Sequence, residues 1–171
     1  MSKQIIIILV GHDNSGKSHI AKALSQSLSL PIFKMDTPKK FWDPVIAQRY
    51  ASEAITQVFE QTKASAILDR GFPCDYMYSK LFNRPFDYEK NFETDARFAK
   101  MNTLIVLCYK SEAKHLDDEE DRVNFQITTK DYYKMTDTYR EFKKQSQCRW
   151  LTLNTDDENL GAQLLKITDN L

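Results

Sequence analysis

Eight residues near the amino end, Gly11-His12-Asp13-Asn14-Ser15-Gly16-Lys17-Ser18, follow the Walker A pattern G-x-x-x-x-G-K-[ST]. Glycines let consecutive backbone N–H groups turn inward, and a helix opening at Lys17 adds the positive end of its dipole, so such a loop cradles phosphate oxygens. The pattern implies a nucleoside-triphosphate site bound by Gly11, Asp13, Asn14, Ser15, Gly16, Lys17, Ser18 and His19. In it the Lys17 ammonium would reach the β and γ phosphates, and the Ser18 hydroxyl would ligate Mg2+. The chain has four glycines, and two of them stand where the pattern requires. His12 is expected to project from this loop into solvent, with nothing nearby to make it a metal ligand.

A second pair with chemical potential is Asp69-Arg70, at the end of the apolar run Ala64–Asp69. A carboxylate there would face bound phosphates, where it can hold Mg2+ or take the proton of an attacking hydroxyl. The Arg70 guanidinium can grip a substrate phosphate or neutralise charge that builds up during phosphoryl transfer. A guanine-specific switch would carry Asn-Lys-x-Asp, which does not occur, and Gly71 comes one position too early for Asp-x-x-Gly. Nor does Ala66-Ile67-Leu68-Asp69-Arg70 end in the paired acids expected of motor ATPases. Elimination favours a small-molecule kinase using ATP and Mg2+.

The order of these motifs, continued by Phe72-Pro73-Cys74-Asp75-Tyr76-Met77-Tyr78-Ser79, resembles the thymidylate kinase and deoxynucleoside kinase group of P-loop kinases. Asp69, Arg70 and Tyr78 match the thymidylate kinase stretch Asp-Arg-Tyr-x-x-Ser-x-x-Ala-Tyr-Gln, with Gly71, Cys74, Met77 and Ser79 replacing its Tyr, Ser, Ala and Gln. Arg70 and Asp75 match the deoxynucleoside kinase form, Glu-Arg-Ser followed by Ser-Asp, with Asp69 in place of the Glu. Where thymidylate kinases carry Arg-Glu-Pro after the second strand, this chain has Met35-Asp36-Thr37-Pro38. The resemblance implies transfer of the ATP γ-phosphoryl group to a nucleoside or nucleoside monophosphate, a basic lid near 110–128, and homodimers as a common assembly. Arg122 is the candidate lid cation, unless it serves in an ion pair with Asp118 or Asp121. Phe41, Trp42, Phe72 and Tyr76 are candidates for stacking on a base, with core packing as the plainer role for each, and Asp36 is a candidate for a substrate hydroxyl.

These residues need a scaffold. Gln4–Val10 and Thr103–Tyr109 are apolar without polar alternation, the pattern of parallel strands buried on both faces. Pro31–Met35, Ala64–Asp69 and Arg149–Leu153 are further strands. Helices are expected over Lys17–Leu28, Pro44–Thr62, 73–82, 87–100, Thr129–Gln147 and from about Asp157. Strands alternating with helices predict a three-layer α/β/α fold around a five-stranded doubly wound parallel sheet, as one domain over 1–171. Ligands in such sheets bind beyond the carboxyl ends of the strands.

Composition narrows the partners. Twenty-four basic and twenty-four acidic side chains cancel, so nucleic acid is disfavoured as a partner, although Lys34, Lys39 and Lys40 keep a hydroxymethylated base in DNA open as an acceptor. Three cysteines without CxxC spacing fit a reducing, cytoplasmic setting, and the apolar run Ile5–Val10 is too short to span a membrane. The same motifs would also suit a kinase for a different hydroxylated small molecule, or a nucleotide-binding regulatory module with weak ATPase activity.

Overall fold

The computed structural model describes residues 3–35, 51–111, 129–157 and 159–171. Among them β1 (Ile6–Val10) leads through the glycine-bearing loop into α1 (Lys17–Leu28), followed by β2 (Ile32–Lys34), α2 (Glu53–Thr62) and β3 (Ala66–Asp69). Next come α3 (Phe72–Leu81), α4 (Tyr88–Ala99), β4 (Thr103–Tyr109), α5 (Thr129–Gln145), β5 (Arg149–Asn154) and α6 (Leu160–Thr168). The expected strands are all present, β4 with the expected bounds and the other four shortened or lengthened by one or two residues. The last helix starts later than Asp157 because the Asn159 side chain caps it, accepting from the Ala162 N–H at 3.0 Å.

All strand pairs are parallel, in the order β2-β3-β1-β4-β5. The fold is therefore the expected doubly wound α/β sheet. Alternate β1 residues explain why that strand shows no polar alternation: Ile6, Ile8 and Val10 pack with Phe59, Phe72, Phe98 and Phe142 of α2 to α5, whereas Ile7 and Leu9 pack with Ile20, Leu24 and Ile167 of α1 and α6. β4 divides in the same way, with Ile105 and Leu107 on the first side and Leu104 and Val106 on the second. On the first side Arg97 of α4 binds Glu53 at 2.8 Å and Glu60 at 2.6 Å, tying it to α2.

From β1 the chain crosses to the edge strand β2, returns to β3 between β2 and β1, and then passes β1 to β4 and β5. The connections leaving the neighbouring strands β1 and β3 thus run in opposite directions, and the loop after β1 opens into the crevice between them at the strands' carboxyl ends.

Candidate active site

Gly11 leaves β1 with φ +142°, and a Cβ there would overlap the backbone carbonyl oxygen of Cys108 on β4. Glycine is thus required on two counts, conformation and space. Gly16 has φ +83° and forms the left-handed N-cap of α1, so the helix opens at Lys17 with its first N–H groups directed back toward the loop. The Lys17 ammonium is buried and donates to the His12 carbonyl at 2.6 Å and to Ser15 Oγ at 3.1 Å. Burial lowers its pKa, and nearby Arg70 lowers it further, which makes the pocket one where added negative charge is welcome.

Register brings the second motif to the first. Leu9 pairs with Asp69 across β1 and β3, so the end of β3 lies beside the loop. There Ser18 Oγ donates to Asp69 Oδ2 at 2.7 Å, across 51 positions of sequence. A hydroxyl and a carboxylate oxygen this close form a hard-oxygen pair that fits Mg2+. The chain turns sharply at Arg70, whose φ of +76° is unusual for a bulky residue and whose N–H is held by the Leu9 carbonyl at 3.0 Å. That bend lets the guanidinium reach Asp13 in an ion pair and donate to the Tyr78 hydroxyl at 2.8 Å. Although burial opposes the charge, Tyr78 and Asp13 hold the Arg70 pKa above the ordinary guanidinium value.

Several site residues are placed otherwise than their sequence positions suggest. His12 does not project into solvent: it is 2% exposed, because β4 and α5 close over the loop. Phe72 and Tyr76 do not offer ring faces to a base. Phe72 stacks on Phe98 with centroids 5.1 Å apart, and Tyr76 is enclosed by Tyr88, Phe92 and Phe142, since α3 turns this side into the core. His19 points outward from the first turn of α1. Asn14, with φ +58°, is exposed at the tip of the loop. Asp36, Phe41, Trp42 and Arg122 lie outside the described residues, as does 112–128 of the expected lid.

Sequence reasoning gave Asp75 no role of its own beyond the resemblance. It sits buried in the first turn of α3 and accepts from Ser52 Oγ at 2.9 Å. Burial pushes its carboxyl up to about 7, against the pull of that hydrogen bond. Its spacing from Arg70 was visible in the sequence, but its burial depends on Ser52, 23 positions away.

No protein-family model matches the sequence, and a search of curated proteins finds no match. Solved structures do match. The Bacillus subtilis YorR protein, in complex with phosphorylated GDP, superposes with a TM-score of 0.69 at 20% identity, covering 96% of this chain and 94% of that one. The fold is that of nucleoside and nucleotide kinases. Thymidylate kinase from Candida albicans gives 0.63 at 18% identity over 99% of this chain and 93% of its own. Deoxyadenosine kinase from M. mycoides with bound dATP gives 0.63 at 16% identity over 98% of each. In element order this chain follows that kinase fold over nearly its whole length, and no described helix is long and apolar enough to cross a membrane.

Proposed function

We propose that this protein is an ATP-dependent kinase that moves the γ-phosphoryl group of ATP to a hydroxyl or phosphate oxygen of a nucleoside or nucleoside monophosphate. The observation that carries this reading is the convergence of Lys17, Ser18, Asp69 and Arg70 at the carboxyl ends of β1 and β3, with Ser18 and Asp69 in direct contact. The kinase fold of the matching structures supports it.

In this reading the loop amides and the Lys17 ammonium hold the triphosphate, and Lys17 exchanges its present bond to the His12 carbonyl for phosphate oxygens. Ser18 and Asp69 would hold Mg2+, which would supply charge that neutralises the phosphates. Arg70, fixed by Asp13 and Tyr78, directs its positive charge at the transferring group or at an acceptor phosphate. During transfer a bond forms from the acceptor oxygen to the γ phosphorus as the bond to the β,γ-bridging oxygen breaks, and ADP leaves; where the acceptor is a hydroxyl, its proton passes to the Asp69 carboxylate or to water. Arg122 would supply a further cation from the segment following β4, and Asp36, Phe41 and Trp42 would contribute to the acceptor pocket. The whole chain acts as one kinase domain.

Asp69→Asn tests the reading: acceptor phosphorylation is expected to fall by about 100-fold or more, with ATP binding nearly intact. Equal activity in that variant would remove Asp69 from the mechanism. A regulatory module would instead show slow ATP turnover that no acceptor stimulates.

A further inference from the structure

The imidazole of His12 joins three parts of the fold. Its Nε2 accepts from the Lys110 N–H, the first residue after β4, at 3.2 Å and across 98 positions of sequence. Its Nδ1 lies 2.6 Å from the Asp13 carbonyl oxygen, so that nitrogen carries the proton and donates. The Tyr132 ring of α5 packs against it with centroids 5.2 Å apart. The backbone of the same residue is tied into the loop beside Lys17: the His12 carbonyl accepts from Lys17 Nζ at 2.6 Å and from the Ser15 N–H at 3.3 Å. Movement of this side chain therefore moves the carbonyl on which Lys17 rests.

We propose that His12 is a positioning residue that fixes the phosphate loop against the end of β4 and α5, and that it does so as the neutral imidazole. This inference rests on reading the loop as a triphosphate cradle. Only the Nδ1–H tautomer satisfies both contacts. A second proton would sit on Nε2 and point at the Lys110 N–H, leaving two donors facing each other. Among the described residues, the charged and titratable groups around the ring are Asp13 in the loop, Lys17 on α1, Lys110 after β4 and Tyr132 on α5. Burial holds the ring's pKa below its ordinary 6.5; Lys17 and Lys110 act in the same sense, and Asp13 in the opposite one.

The test is calorimetric titration of the full chain with Mg-ATP, for wild type, His12→Ala and His12→Gln, from about pH 8 down to about pH 5. Glutamine places an untitratable acceptor near the Nε2 position. At the upper pH, His12→Ala is expected to bind about tenfold more weakly than wild type and His12→Gln within about threefold of it. As pH falls through the ring's lowered pKa, below 6.5, wild type should weaken relative to His12→Gln by about threefold or more; their ratio cancels titration of the nucleotide's own phosphate. Equal affinities for His12→Ala and wild type, or a wild-type to His12→Gln ratio that stays flat, would overturn the inference while leaving the cradle intact. Absence of Mg-ATP binding by wild type at every pH would overturn the cradle itself, and this inference with it.

Discussion

Side chains that touch no phosphate still set the character of this site. Tyr78 accepts from Arg70, so Tyr78→Phe leaves a half-buried guanidinium donor without that partner. A hydrogen bond to a charged group contributes about 1.5–3 kcal/mol to folding, so the denaturation midpoint is expected to fall, and kcat/KM to fall about tenfold as the guanidinium loses one of the partners that aim it. Asp75 acts on stability. Its carboxyl stays protonated up to about 7 in the folded chain, against an ordinary value of 3.8, so between those values the folded state holds the extra proton and stability falls as pH rises. Asp75→Asn should therefore raise the urea midpoint of unfolding at pH above about 7, with the gain shrinking toward about pH 4; a gain that grew toward acid would contradict the assignment. The phosphate-loop residues and Asp69-Arg70 were legible in the sequence, because local spacing alone defines those motifs. The burial of His12, Phe72 and Tyr76 was not, since it depends on Lys110, Phe98 and Phe142, residues distant in sequence.

At the scale of elements, the close approach of β1 and β4 dictates where the loop begins. Gly11→Ala would drive a methyl group into the Cys108 carbonyl and strain a positive φ, and is expected to cost about 3 kcal/mol, measurable as a lowered denaturation midpoint. The tie between α2 and α4 has a different signature. Arg97 holds the Glu53 and Glu60 carboxyls below their ordinary 4.5 by hydrogen bonding, so its stabilisation is complete above that pH and is lost as pH falls through the lowered values. Wild type should lose more stability than Arg97→Met on acidification below about pH 4.5, and the difference should shrink in high salt. β1 and β4 were readable because burial on both faces makes a strand continuously apolar, and α1 because its apolar stripe starts at a motif. β2 was harder to bound, being a three-residue edge strand exposed along its length.

Across the whole molecule, zero net charge leaves the attraction of phosphate to local groups: Lys17 and Arg70 stand with Asp13 and Asp69 where the sheet's winding reverses, and no net charge draws polyanions to the molecule as a whole. The fold and the glycine-bearing loop after β1 follow from the pattern of elements, whereas the acceptor of the proposed transfer would be set by the shape of a pocket that no local motif encodes. Phosphoryl transfer itself is tested by mass measurement of products after incubating the protein with Mg-ATP and a panel of nucleosides and nucleoside monophosphates. One acceptor is expected to gain a single phosphoryl group, with matching ADP release that Asp69→Asn abolishes. ATP turnover that is the same with and without every acceptor, and leaves each of them unchanged in mass, would show that the protein is no kinase of this class.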